Sequence, residues 1–172
     1  MTEGDAFDWL PALLVLQGVM GALDTIANHE LIEALPRRPE ARGELAFHSA
    51  REAVYAALFL GLGWFAWLGA AAFVIVILLI AEIVITVNDE LIENRLRVLP
   101  QNERALHIFL TLNFGALLAL LVPVLADWMA NPTALEPSYS SWASWALAAL
   151  GIASAGWSVR DLVALRRLKL RA

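Results

Sequence analysis

The residues best suited to chemistry in this chain are its three histidines and the acidic residues near them. His48 and Glu52 are four residues apart, and so are Glu103 and His107. Residues at this spacing share one face of a helix. Neutral imidazole and carboxylate groups are protein ligands for zinc, iron and manganese. The pattern therefore predicts metal binding without thiolate ligands, because the chain contains no cysteine.

A second polar pattern lies within the long segment from Gly63 to Arg97, which begins with the most apolar run of the chain. Its members are Glu82, Thr86, Asp89 and Glu93. At about 100° per residue, their spacing keeps all of them within an arc of roughly 60° on a helix. A carboxylate such as Glu82 is costly in hydrocarbon unless it has a partner, so the stripe predicts a functional site.

These polar residues belong to a chain that is too apolar for a soluble domain. Of its 172 residues, 60% are apolar, and the mean hydropathy is +0.65. The apolar segments and their Pro- and Gly-containing breaks predict an all-α integral membrane protein, in which five transmembrane helices form a single domain with a four-helix core around the polar site. The predicted helices cover residues 9–35, 40–67, 69–97, 101–129 and 140–170.

The distribution of charge and tryptophan predicts the orientation in the membrane. With five spans, all twelve Lys and Arg residues fall on one side, which the positive-inside rule makes cytoplasmic. Most tryptophans would lie near the opposite interface, namely Trp9, Trp64, Trp67, Trp128, Trp142 and Trp145. The acidic N-terminus does not resemble a removable signal peptide. We therefore expect a multi-pass protein of the bacterial inner (plasma) membrane, with its N-terminus outside and its C-terminus cytoplasmic.

The depths of the polar residues suggest a common centre. Counted from the cytoplasmic helix ends at 1.5 Å per residue, the histidines lie at about 10 to 14 Å and the deepest carboxylates at about 20 Å. The candidate metal ligands are Asp24, His29, His48, Glu52, Glu82, Asp89 and His107. This set exceeds what one ion needs, so it predicts two divalent ions bridged by carboxylate. Iron is favoured, with zinc and manganese as alternatives.

Asp24 and His29 are five residues apart, which corresponds to about 140° around a regular α-helix. Either one of them is not a ligand, or the helix contains a π-bulge, a feature often found at functional sites. In a regular helix, His29 would act with Glu33, and Asp24 would pair with Asn28. The sequence leaves open whether Asp24, Glu33 or Glu103 is a ligand.

Several polar residues also have plain structural interpretations. Arg51 is placed to pair with Glu82 or Asp89 in a metal-free network, Tyr55 suits packing or hydrogen bonding, and Thr86 suits close helix contact. The acidic residues expected near the interface, most of them solvated or paired with arginine, are Glu30, Glu33, Glu40, Glu44, Glu90 and Glu93.

Some short motifs carry a resemblance to known proteins. They include D-T-I-A-N-H-E, H-S-A-R-E, E-I-V-I-T-V-N-D and L-P-Q-N-E-R-A-L-H. Through these, the region from Asp24 to Leu121 resembles a group of small bacterial multi-pass membrane proteins of unassigned function. The arrangement is also analogous to ferritin-like dinuclear carboxylate bundles. The chain lacks their E-x-x-H motif, so only the architecture is comparable.

These observations predict a metal-dependent enzyme, an oxidoreductase or a hydrolase, that acts on a lipid or quinone-like substrate reached from membrane lipid. One alternative is a proton or cation transporter that uses the buried carboxylates. Another is a metal-free structural or assembly protein. No nucleic-acid motif is present, and the sequence is compatible with an oligomer.

Overall fold

Five long α-helices make up most of the chain in the computed structural model, which describes residues 3–96 and 98–170. Of residues 3–8 and Ser141 only the backbone is described. The helices are α1 (Glu3–Asp24), α2 (Arg42–Trp64), α3 (Ala72–Leu96), α4 (Gln101–Met129) and α5 (Ser141–Lys169). The prediction of an all-helical chain is confirmed.

Four helical segments among the described residues are long and apolar enough to cross a membrane. They are Trp9–Ile32, Gly69–Leu96, Gln101–Met129 and Trp142–Lys169. α2 is not among them, because charged residues such as Glu44, Arg51 and Glu52 interrupt its apolar sequence. The four spans match predicted ones, whereas a fifth span through α2 stays a prediction.

α1 does not end as a regular helix but continues into a π-helix, Thr25–Ile32. The N–H of Glu33 still donates to the carbonyl of Asn28 at 2.8 Å, a five-residue spacing. Ala34 then adopts the left-handed conformation, with φ 50° and ψ 42°. This is a common way to stop a helix. Two short 3-10 turns, Leu35–Arg37 and Pro39–Ala41, lead into α2.

A small antiparallel sheet closes the end of the bundle opposite the 3-10 turns. The sequence patterns did not predict it. Strand β1 (Phe65–Leu68) follows α2 and pairs with β2 (Ala134–Pro137), with Phe65 opposite Pro137 and Leu68 opposite Ala134. The predicted helix to residue 67 is therefore wrong at its end, since α2 stops at Trp64. Neither strand alternates clearly between apolar and polar residues. The pairing stabilises them together with the packing of Ala66, Trp67 and Leu68 against the apolar core.

Gly69 makes the turn after β1 possible. Its φ is +57°, and a Cβ at this position would lie 2.6 Å from the backbone nitrogen of Thr133. The N–H of Ala70 donates to the Thr133 hydroxyl at 3.0 Å. The two loops are thus held together where only glycine fits.

The helices form a ring in which α2 packs closely against α5 on one side and α3 on the other, while α1 packs against α4 and α5. Small residues allow the closest approach, since a Cβ on Gly151 of α5 would lie 2.8 Å from Leu60. Ser49 and Ser158 donate hydroxyl hydrogen bonds to each other's backbone carbonyls at 3.0 and 2.8 Å. These contacts hold α5 against α2.

Two apolar clusters lie at the two ends of the buried polar region. The larger one occupies the half of the bundle near the sheet and includes Leu14, Phe59, Ile75, Leu79, Leu117, Leu121 and Leu147. The smaller one contains Leu35, Ala41, Leu45 and Leu168 and covers the end near the 3-10 turns. Most of the buried charged residues lie between these clusters, where water has little access.

Candidate metal centre

The π-helix brings Asp24 and His29 together. The Oδ2 atom of Asp24 lies 3.2 Å from Nε2 of His29, although a regular α-helix would separate these residues by about 140°. The wider turn of a π-helix, with its five-residue hydrogen-bond spacing, restores a common face. Asn28 donates a side-chain hydrogen bond to Oδ1 of the same aspartate at 2.7 Å. Of the two alternatives left by the sequence, the structure contains the π-helical one.

Helix α4 completes a first group of potential ligands. Nε2 of His107 lies 3.2 Å from the same Asp24 Oδ2 atom, and Oε1 of Glu103 lies 4.0 Å from Nε2 of His29. Asp24, His29, Glu103 and His107 each offer one ligand atom, and these four atoms lie within 4.8 Å of one another. That spread is compatible with ligands around one metal ion.

A second group lies directly beside the first, built mainly by α2 and α3. It consists of His29, Glu44, His48 and Glu93, again with ligand atoms within 4.8 Å. Nδ1 of His29 is 3.8 Å from Glu44 Oε1, and Nε2 of His48 is 3.7 Å from Glu93 Oε1. The rings of His29 and His48 have centroids 4.0 Å apart.

His29 and Glu93 connect these arrangements into one centre. His29 belongs to both groups, with Nε2 facing Asp24 and Nδ1 facing Glu44. Glu93 places Oε1 near His48, while its Oε2 lies 3.7 Å from Nδ1 of His107. With Glu90 and His107 it also forms a third, more exposed group. A carboxylate between two imidazoles is the arrangement expected of a bridging ligand.

The charge balance of the two four-residue groups fits two divalent ions. Glu44, Glu93 and Glu103 are 1%, 0% and 0% exposed, and Asp24 is also buried. Four ionised carboxylates in one buried centre repel each other and are costly without compensating charge. Two divalent cations would supply four positive charges. His29 Nδ1 and His48 Nε2 have no hydrogen-bond partner within the described structure, so both remain oriented for ligation.

The structure brings together four of the seven predicted ligands, namely Asp24, His29, His48 and His107. The other three lie beside the groups. Asp89 Oδ2 is 3.4 Å from His48 Nε2 but 2.9 Å from an Arg51 nitrogen. Glu82 accepts a hydrogen bond from Thr86 at 3.0 Å and lies 3.7 Å from Arg51. Arg51 therefore pairs with both carboxylates, as expected for a metal-free network.

Glu52 lies nearer to α5. Its neighbours there include Arg160 and Asp161, which pair with each other. Arg160 also pairs with Glu30 of the π-helix. Glu52 Oε2 is buried and makes no hydrogen bond to a described residue. The residue therefore faces the α5 side of the bundle and lies outside the four-residue groups.

Sequence reasoning did not include Glu44 or Glu93 among the candidate ligands, although Glu93 belongs to the polar stripe, and it left Glu103 open. The expectation that Glu44 and Glu93 lie among solvated interface residues is wrong, since both are buried. The depth estimate assumed that helix ends mark the water boundary, whereas the 3-10 turns and the Leu35 cluster cover this end. The four-residue spacing of Glu44 and His48 was the available signal.

Glu33 lies outside the three groups and pairs with Arg38. Arg38 also donates a hydrogen bond from Nε to Glu40 at 3.2 Å. The hydrogen bond to Glu40 raises the pKa of Arg38 above its usual value. These side chains lie at the 3-10 turns, separate from the buried centre.

A cavity of about 240 Å³ reaches the centre from inside the bundle, and all five helices contribute to its walls. Asp24, His48, Glu93 and His107 lie at its metal-centre side. Arg51, Glu52, Tyr55, Glu82 and Asp89 form a polar layer, and Phe59, Phe114 and Leu150 form an apolar part. A molecule with a polar end and an apolar chain matches this order.

No protein-family model, curated protein or solved structure matches the chain. The resemblance to small bacterial membrane proteins therefore stays a prediction. The fold and the site define a helical bundle with apolar candidate membrane spans and buried histidine and carboxylate groups that could hold metal.

Proposed function

We propose that this chain is an integral inner-membrane metalloenzyme with a dinuclear centre, its N-terminus outside and its C-terminus cytoplasmic. The observation that carries the proposal is the pair of four-residue ligand groups that share His29. Each group combines imidazole and carboxylate, the mixture that iron, manganese and zinc accept. The basic residues Arg37, Arg38 and Arg104 lie in the short turns and at a helix end, away from the sheet, which supports a cytoplasmic assignment of that end.

The assignment of ligands follows from the contacts. Asp24, Glu103 and His107 would hold one ion, and Glu44, His48 and Glu93 would hold the other. His29 stands between them, with one ring nitrogen towards each group. Iron remains the favoured metal, with manganese and zinc as alternatives.

The proposed substrate is amphiphilic, a lipid or quinone-like molecule that enters from the membrane. A bound metal ion supplies Lewis acidity and lowers the pKa of a coordinated water. The chain's own residues orient the substrate: the apolar wall near Phe59 and Phe114 excludes water, and the polar layer near Arg51 lies beside His48. With iron or manganese, the reaction would be an oxidation or reduction, and with zinc a hydrolysis.

Metal analysis of the purified protein is the decisive test. Mass spectrometry should find about two metal ions per wild-type chain and a clear loss in Glu93→Ala. Glu136→Ala is the matched control, because Glu136 is exposed on β2. Substoichiometric metal in a well-folded wild-type protein, after growth with each candidate metal, would reject the enzyme proposal.

A second candidate is a metal-free structural network, favoured by the contacts of Arg51 with Asp89 and Glu82. Such a network stabilises helix pairing without an ion, since the guanidinium compensates part of the buried negative charge. It predicts that Arg51→Met destabilises the bundle and that metal content is negligible. A transporter ranks lower, because the apolar cluster around Leu14, Leu79 and Leu121 closes the half of the bundle near the sheet.

A further inference from the structure

The polar layer of the cavity is separate from the two four-residue ligand groups. It consists of Arg51, Glu52, Tyr55, Glu82 and Asp89, all of which line the cavity. Asp89 connects the layer to the centre, because its Oδ2 atom lies 3.4 Å from Nε2 of His48. A group bound in this layer would therefore lie next to the metal ligands.

Atoms of this layer are buried without hydrogen-bond partners. Glu82 and Asp89 are 3% and 1% exposed. Asp89 Oδ1 accepts no hydrogen bond from a described residue, and Glu82 Oε2 accepts none of normal geometry, although the Tyr55 hydroxyl interacts with the Glu82 carboxylate. Glu52 Oε2 is also buried and accepts no hydrogen bond from a described residue. Buried acceptors of this kind are costly unless a ligand or water satisfies them. Three carboxylates that face one cavity indicate a ligand that donates several hydrogen bonds.

The charge of the layer selects among such ligands. Glu82 and Asp89 are opposed by the single guanidinium of Arg51, which leaves one negative charge. The neighbouring centre would contribute little further charge, since two divalent ions balance its four buried carboxylates. An ammonium group would compensate the remaining negative charge and donate up to three hydrogen bonds. A phosphate or carboxylate would instead be repelled.

The rest of the cavity suits an apolar chain. Beyond the polar layer its walls include Gly18, Phe59, Phe114 and Leu150. Ala22 and Ile26 of the first span and Ala153 of α5 line the cavity and are also exposed. They form an apolar opening between these helices, whereas Glu90 and Thr111 mark a polar opening between α3 and α4. In a membrane, the apolar opening would face lipid.

We infer that the cavity binds an amphiphile whose head is a protonated amine, held by Glu82 and Asp89, and whose apolar chain extends towards the opening between the first helix and α5. This inference rests on the proposed function, because it names the substrate class of the same centre. It goes further in excluding anionic lipid heads.

The test compares three ligands of equal chain length on the metal-loaded full-length protein in neutral detergent: dodecylamine, dodecanol and dodecyl phosphate. Native mass spectrometry and calorimetry should show one dodecylamine bound per chain. Dodecanol and dodecyl phosphate should bind at least about tenfold more weakly than dodecylamine, because each loses a charged hydrogen bond. Equal or tighter binding of the alcohol or the phosphate would overturn the inference.

Glu82→Gln should weaken dodecylamine binding by about tenfold or more, because it removes the charge and preserves the shape. Asp89→Asn serves as a second variant should the first fail to fold, and Glu136→Gln is the exposed control. Wild-type-like binding in a folded Glu82→Gln protein would overturn the inference. Metal content, measured on the same samples, separates the hypotheses: two metals without amine binding rejects this inference alone, whereas absent metal rejects the proposed function.

Discussion

Oδ2 of Asp24 lies 3.2 Å from Nε2 of His29, although the two residues are five positions apart on one helix. The contact depends on the π-helix Thr25–Ile32. A π-helical segment within an α-helix behaves like one inserted residue. It rotates the residues that follow it around the helix axis. The local backbone therefore decides whether the first helix supplies one ligand or two.

Deleting Ala27 should be tolerated, because it converts the π-helix to a regular α-helix. Asp24 and His29 would then be four residues apart and still share a face. Metal content should stay at about two ions per chain by mass spectrometry. Insertion of one alanine after Ala27 is the contrasting variant and should abolish metal binding. Loss of metal in a folded deletion variant would contradict this account of the π-helix.

The number of metal ions bound by each ligand variant should show to which of the two four-residue groups that ligand belongs. Glu44→Ala and Glu103→Ala each alter one group and should reduce the content from about two ions to about one. His29→Ala alters both groups and should leave almost none. The measurement is elemental analysis on detergent-purified protein, normalised to amino-acid content. Equal losses in all three variants would show that the ions do not bind in two groups.

Removal of metal should destabilise the protein strongly. Without cations, Glu44, Glu93, Glu103 and Asp24 stay buried close to one another, and uncompensated buried charges cost about 3 to 5 kcal/mol. A loss of this size should lower Tm by about 6 to 20 °C. Thermal unfolding with and without EDTA measures the effect, and adding the metal back should reverse it. An unchanged Tm in a metal-depleted sample would favour the metal-free network.

The proposed orientation can be tested with single cysteines, since the chain has none of its own. Ser138→Cys lies at the sheet end of the bundle, and Glu40→Cys lies at the opposite end, in the 3-10 turn before α2. In intact cells, a membrane-impermeant maleimide should label only Ser138→Cys. Glu40→Cys should react after permeabilisation. The reverse pattern would place the C-terminus outside, and labelling of both in intact cells would exclude a fifth span through α2.

The sequence alone determined the helical class of the chain, four of the candidate spans and the gathering of the three histidines. These features depend on local patterns. Apolar runs of membrane length and residues repeated at helical spacing predict helices and their faces without knowledge of what they contact. The sequence also limited the first helix to two alternatives, and a π-bulge was one of them.

Only the tertiary structure decided which acidic residues join the histidines. Glu44, Glu93 and Glu103 lie close to helix ends, where sequence position suggests water, but the Leu35 cluster and the short turns cover that end. Glu82 and Asp89 lie near Arg51 instead. Burial and pairing depend on contacts between residues far apart in the chain, as does the pairing of β1 with β2. A local pattern carries little information about such contacts.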